Sequence, residues 1–146
     1  MKEITGDIWD YHDKGNWIVI TTNGTVRKDG ACVMGRGVAL EAKNRFPKLP
    51  YLIGDKIKRD GLWTWAFPDY RIISLPVKYN WYEKATLELI EDKIVRLVGI
   101  VDFSKVKPIY LVRPGCGNGG LDWRDVKPIL EKYLDDRFIV VERETT

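Results

Sequence analysis

The sequence predicts an α/β protein, with one mixed, largely parallel sheet covered by helices on both faces. Three observations carry that expectation. Apolar, β-branched runs alternate along the chain with amphipathic helical patterns, as in sheets built from strand–helix–strand units. The run Trp17 to Thr22 is almost continuously apolar or β-branched, as suits a strand buried on both faces. Two glycine-bearing stretches, Cys32 to Gly37 and Gly115 to Gly120, each follow such a run and each open a helical pattern. Ligands of these sheets bind beyond the carboxyl ends of the strands, where both loops would lie.

In chain order, Lys2 to Gly6 reads as a short strand ended by Asp7-Ile8. His12, among Asp10, Asp13, Lys14 and Gly15, reads as a surface histidine in a polar turn. After the strand Trp17 to Thr22, Val38 to Phe46 places Val38, Leu40, Ala42 and Phe46 around a helix whose Arg36, Glu41, Lys43, Asn44 and Arg45 can mostly stay wet. Pro47 and Pro50 interrupt it, and a second helical piece covers Tyr51 to Lys58. Leu62 to Phe67 alternates partly and Arg71 to Val77 is a strand, so Pro68-Asp69 marks a hairpin. Thr86 to Val98 is an amphipathic helix with Leu87, Ile90, Ile94, Leu97 and Val98 facing the core. On this reading its Glu88, Glu91, Asp92, Lys93 and Arg96 face water. Pro108 to Val112 and Arg137 to Val141 are the closing strands, with a helix from Asp122 to Leu134 between them.

A chain of 146 residues suits one domain, spanning 1–146. No apolar run approaches the length of a membrane span, and Met1-Lys2-Glu3-Ile4-Thr5 lacks the form of a signal peptide. The expectation is a cytoplasmic, monomeric protein that makes no membrane contact. Cys32 and Cys116 fall in the two glycine loops, with no CxxC and only His12 as a further soft ligand. Neither zinc nor any other metal or cofactor is therefore expected, and the thiols are expected to stay reduced. A formal charge of +3 is too small to announce a nucleic-acid protein, but it favours an anionic ligand.

The glycine loops supply the chemistry. Four glycines, Gly115, Gly117, Gly119 and Gly120, fall within six residues. Without Cβ atoms, such a backbone can approach a ligand closely. Its N–H groups, with the helix N-terminus that follows, make an anion site. The stretch is neither a Walker loop nor GxGxxG. A tight strand–helix connection capped by Asp122 is the plainer alternative. The second loop, Cys32-Val33-Met34-Gly35-Arg36-Gly37, adds a second phosphate site and points to a diphosphate.

These residues together resemble a macrodomain, the ADP-ribose-binding module. The resemblance rests on Gly6-Asp7-Ile8, Ile20-Thr21-Thr22-Asn23, Val33 to Leu40 and Gly115 to Trp123, in the family's order over nearly the whole chain. It implies a three-layer α/β/α fold. It also implies that Asp7 accepts from the adenine amino group while the Ile8 N–H serves a ring nitrogen. Val33, Met34, Gly35, Arg36, Gly37 and Val38 would hold the diphosphate from one side. Gly115, Cys116, Gly117, Asn118, Gly119, Gly120 and Leu121 would hold it from the other. Asn23 would meet the distal ribose, which carries the departing group. Thr25 to Ala31 makes the loop after Asn23 several residues longer than is usual in the family.

Within the family the chain is most similar to the branch of DNA ADP-ribosyl glycohydrolase antitoxins and terminal ADP-ribose glycohydrolases. The antitoxins carry a functional lysine in a Pro-x-Lys-x-x-Trp context, matched here by Pro76-Val77-Lys78-Tyr79-Asn80-Trp81. Read without that context, Lys78 is a solvated charge at a strand end. As a nucleophile it would have to be neutral, which at pH 7 costs an unperturbed lysine about 4.6 kcal/mol. As a cation it could stabilise charge on a leaving base without that cost. The terminal glycohydrolases have an aspartate where this chain has Gly119, which turns the expectation toward thymidine-linked ADP-ribose. Tyr79, Trp81 and Tyr82, with Lys78 and Lys84, form a candidate single-stranded DNA edge, or else help to fill the core. The expected activity is release of ADP-ribose from DNA or another ADP-ribosylated macromolecule. The alternatives are a non-catalytic ADP-ribose reader, an ADP-ribose-1″-phosphate phosphatase, an O-acetyl-ADP-ribose deacetylase and a phosphate-binding structural module.

Overall fold

A computed structural model describes residues 1–143. Six strands form one sheet: β1 (Lys2–Gly6), β2 (Trp17–Asn23), β3 (Trp65–Phe67), β4 (Ile72–Lys78), β5 (Ile109–Val112) and β6 (Phe138–Arg143). Their spatial order is β1-β6-β5-β2-β4-β3. Every neighbouring pair is parallel except the β3–β4 hairpin. A single 3₁₀ turn, Pro68–Tyr70, closes that hairpin.

The helices are α1 (Ile8–Asp13), α2 (Gly37–Arg45), α3 (Leu49–Asp60), α4 (Leu87–Ser104) and α5 (Trp123–Tyr133). Strand periodicity of two sorts the core onto two faces. Val19, Ile73, Leu75 and Val77 pack with Ile90, Ile94 and Leu97 of α4 and Val126 and Leu130 of α5. Ile18, Ile20 and Ile72 point the other way, onto Trp9 of α1, Ala42 of α2 and Leu49 and Ile53 of α3. The result is the three-layer α/β/α arrangement. Among the described residues, no helix is long and apolar enough to cross a membrane.

Three expectations are corrected. His12 is buried rather than on the surface, because Ile8–Asp13 forms the short helix α1. Its Nε2 lies 2.7 Å from the Tyr70 carbonyl, and its ring packs edge-on to Trp9 and Phe46. The polar residues around it disguised the turn of helix. Lys93 is also buried rather than wet. Its ammonium pairs with Asp92 Oδ2 at 2.8 Å and lies 4.2 Å from the Trp63 ring centroid, so the aromatic face replaces part of its hydration. Finally, α4 continues six residues beyond Val98, to Ser104, carrying Val101 into the core.

Candidate active site along the carboxyl edge of the sheet

The strand order sets out the candidate residues in a line. Asp7 follows β1, the Gly115–Gly120 loop follows β5, Asn23 ends β2 and Lys78 ends β4. At about 4.8 Å per strand, the four steps from β1 to β4 span roughly 19 Å. A ligand that met all of these residues would lie in an extended groove along this edge rather than in a compact hole.

Asp7 is the N-cap of α1, and its Oδ1 accepts from the Trp9 N–H at 2.9 Å. Among the described residues Oδ2 has no protein donor, and the Ile8 N–H, first in its helix, has no intrahelical acceptor. The cap therefore leaves an acceptor and a donor side by side.

At the other end, a register irregularity in the β2–β4 ladder falls between Thr22 and Asn23. Thr22 pairs with Pro76, but Asn23 pairs with Lys78. The extra residue, Val77, is buried, and the shift sets Asn23 and Lys78 side by side. Pro76 sits at this bulge and beyond the end of β3, positions that tolerate a residue with no N–H. The Asn23 amide donates to the Val33 carbonyl at 2.9 Å and accepts from the Thr25 N–H at 3.0 Å. An amide has two donors and two lone pairs, so one of each remains for a ligand. Lys78 Nζ donates to the carbonyls of Trp81 at 3.3 Å and Asn118 at 3.2 Å. What remains is a third N–H in the ammonium, or a lone pair in the free amine. The same anchoring serves either role.

The two glycine loops approach each other at Gly37 and Asn118. A Cβ on Gly37, whose φ is +59°, would lie 3.3 Å from Asn118 Nδ2. Asn118 thus stands where both loops and Lys78 meet. The N-cap of α2 is Arg36, which makes no side-chain cap, so the first N–H groups of that helix are free for an anion. In the second loop, Gly120 N–H donates to Gly117 O and Leu121 N–H to Gly115 O. The N–H groups of Gly117, Asn118 and Gly119 have no acceptor among the described residues.

The loop glycines divide by cause. A Cβ on Gly119 would meet the Gly115 backbone at 2.5 Å, and one on Gly115, at φ +73°, would meet Ile90 at 2.9 Å. Both are required by the loop's own packing. Gly117 and Gly35 have nothing within 4 Å of an added Cβ and no positive φ, so neither packing nor backbone conformation requires them.

Asp122 is not available as an acid. It caps α5, accepting from the Arg124 N–H at 2.9 Å, and it pairs with the Arg124 guanidinium, which holds its carboxyl below the usual range. Both cysteines are free thiols. Burial pushes Cys32 up to about 12 and Cys116 up to about 11, so neither is a nucleophile near neutral pH.

The aromatic residues after Lys78 do not fill the core. Tyr79, Trp81 and Tyr82 are 58%, 51% and 69% exposed, at the Lys78 end of the groove.

The extra residues after Asn23 form a packed finger. Val26 and Cys32 form an antiparallel bridge, and Arg27 N–H donates to Ala31 O at 2.8 Å. The finger docks on α3 through Cys32 N–H to Pro50 O at 2.9 Å. It also reaches the Lys78 loop, since Thr25 Oγ1 donates to Asn80 Oδ1 at 3.2 Å and accepts from the Trp81 N–H at 3.0 Å. These links between separated segments have no sequence signal beyond the loop's length.

Gly54 of α3 makes the docking possible, because a Cβ there would lie 2.0 Å from the Gly30 carbonyl oxygen. Gly54→Ala should gain about 1 kcal/mol of helix propensity. It should lose about 1–3 kcal/mol to overpacking. The expected net result is a lower Tm with faster alkylation of the otherwise shielded Cys32 thiol. A thiol reactivity assay checks this, and an unreactive Cys32 would show that the finger is held by other contacts.

No protein-family model matches the chain. It is 30% identical over 113 residues to a DNA ADP-ribosyl glycohydrolase of Thermus aquaticus, a match covering 70% of this chain and 31% of that protein. It is 25% identical over 148 residues to a DNA ADP-ribosyl transferase–DNA ADP-ribosyl glycohydrolase fusion protein of Thermosipho africanus, covering 81% of this chain and 37% of that one. The chain thus spans about a third of the length of these curated relatives. Among solved structures, the macrodomain of Thermus aquaticus DarG superposes with a TM-score of 0.79 at 26% identity, covering 99% of this chain and 97% of that one. The macrodomain of Mycobacterium tuberculosis DarG gives 0.75 at 23% identity with both chains fully covered, which bears on the fold alone. With both glycine loops, the Asp7 cap and the Asn23–Lys78 pair on one sheet edge, these likenesses show that the chain belongs to the macrodomain family, in the branch of the DarG macrodomains.

Proposed function

We propose that this chain, acting as a monomeric cytoplasmic domain of residues 1–146, binds ADP-ribose along the groove and hydrolyses its bond to thymidine in DNA. The observation that carries this reading is Lys78, held by the Trp81 and Asn118 carbonyls beside Asn23 and the second glycine loop. The adenine end would lie at Asp7 and Ile8, the diphosphate between the facing loops, and the distal ribose at Asn23. The names of the relatives support ADP-ribose as the ligand and its release from DNA as the reaction, since they include DNA ADP-ribosyl glycohydrolases and a DarTG structure in complex with ADP-ribose.

In the reaction, the bond from the anomeric carbon to the base breaks with its electron pair leaving on the base. Water supplies the oxygen that replaces it and the proton that the base finally takes. Lys78 as an ammonium would stabilise the charge growing on the departing base. That role avoids the roughly 4.6 kcal/mol needed to present a neutral lysine at pH 7. The remaining Asn23 donor and acceptor would hold the ribose hydroxyls.

Calorimetry with ADP-ribose and with AMP tests the binding, and release from ADP-ribosylated single-stranded DNA tests the chemistry. ADP-ribose should bind at least about tenfold more tightly than AMP, a difference of about 1.4 kcal/mol from the second phosphate and distal ribose. Equal affinities would remove the two-loop site. Tight binding without release from any conjugate would make the protein a reader.

A further inference from the structure

The finger does more than lengthen a loop, because it forms one wall of a second cleft. This cleft, of roughly 800 Å³, lies between the finger, the start of the first glycine loop, the end of α2 and the start of α3. Its size falls in the range of ligand sites, about 300–1,000 Å³. It opens beside the reacting end of the groove. Trp81, which lines it, presents its carbonyl to Lys78 Nζ, and Val33, which also lines it, accepts from the Asn23 amide. A group attached to the distal ribose at Asn23 and Lys78 would therefore leave the groove toward this cleft.

The walls show what kind of group that is. Trp81 is half exposed there, a flat apolar face with its backbone N–H already tied to Thr25. Arg27 on the finger and Lys43 on α2 line the cleft, and neither side chain has an ion-pair or hydrogen-bond partner among the described residues. Among the described residues one carboxylate lines the wall, Asp29; Ala31 N–H donates to its Oδ1 and Tyr51 Oη to its Oδ2. The Ala31 bond, helped by the charge of Arg27, holds the carboxyl below the usual range, so the wall carries one net positive charge. An aromatic platform sharing one cleft with two cations that make no salt bridge matches a single strand of nucleic acid, with a base on the ring and backbone phosphates on the cations. An acidic peptide would use the cations but not the platform.

We infer that the cleft between the finger and α2 is the subsite for the strand that carries the ADP-ribose, with Trp81 stacking a flanking base and Arg27 and Lys43 holding flanking phosphates. This rests on the proposed release from DNA, and it assigns a use to the longer loop. The finger's ties to α3 and to Asn80 and Trp81 hold the backbone that carries Arg27 in place relative to Lys78, while Lys43 is carried by α2.

The test compares thymidine-linked ADP-ribose as a free nucleotide with the same nucleotide inside a short single strand. The wild type should favour the strand by about tenfold or more in kcat/KM, and the preference should shrink with salt. The double variant Arg27→Ser/Lys43→Ser, and separately Trp81→Ala, should bring the strand-to-nucleotide ratio close to one. For the double variant, the slope of log affinity against log salt should fall by about 0.7 for each phosphate that is no longer neutralised. An unchanged ratio in the variants, or no strand preference in the wild type, would overturn the inference. So would a preference for an ADP-ribosylated peptide over the strand.

Anisotropy with an unmodified labelled single strand gives the same comparison without turnover. If the wild type releases ADP-ribose from neither substrate, the proposed hydrolysis fails. The subsite is then decided by whether the strand binds wild type more tightly than the double variant.

Discussion

Lys78→Ala should lower the rate of ADP-ribose release by a hundredfold or more while leaving ADP-ribose affinity nearly unchanged. A hundredfold loss corresponds to about 2.7 kcal/mol of transition-state stabilisation. The two effects separate because in the proposed binding the diphosphate would face backbone N–H groups of the glycine loops, whereas Lys78 touches that loop at the Asn118 carbonyl, not at an N–H. Some change in affinity is expected, since removing Nζ also frees the Asn118 carbonyl from its donor. Lys78→Arg divides the two roles. Arginine retains the charge and a donor fork but is never neutral in a protein, so partial rescue indicates a cation and complete loss a nucleophile. Single-turnover release and calorimetry on the same preparations check both quantities. Release by Lys78→Ala at the wild-type rate would remove Lys78 from the mechanism.

Gly117→Glu should weaken ADP-ribose binding by about a hundredfold or more, about 2.7 kcal/mol, without unfolding the protein. The position has open space around an added Cβ and no left-handed φ, so the folded chain accommodates the side chain. Its N–H is among those left without an acceptor, and a carboxylate there would compete for the same donors and repel a diphosphate. Gly119 makes a poorer test, although it lies in the same loop. Its Cβ would strike the Gly115 backbone, so substitution deforms the loop whether or not a ligand is involved. Calorimetry alongside thermal unfolding reads the difference. Unchanged affinity in a folded Gly117→Glu protein would show that the loop is only a connection between β5 and α5.

The sequence by itself determined the α/β class, the strands, most helix positions and the two glycine loops. These are local matters: strand burial shows as continuous apolar runs, helices as a period of 3.6, and close-approach loops as glycines at strand exits. Asp122 as the cap of α5 was legible for the same reason, since an N-cap acts within three residues. The tertiary structure alone decided whatever depends on segments far apart in the chain. The bulge that sets Asn23 beside Lys78 exists only once β2 and β4 pair. The burial of Lys93 follows from a tryptophan thirty residues away, and that of His12 from the Tyr70 turn and Phe46. The exposure of Tyr79, Trp81 and Tyr82 could not be read from their apolar character, because a loop beyond the last strand pairing has no core to enter. The finger after Asn23 was visible only as extra length. Its role as a wall depends on Gly54 and Pro50 of α3 and on Asn80, and no local pattern in the chain encodes a contact between surfaces that meet only in the folded molecule.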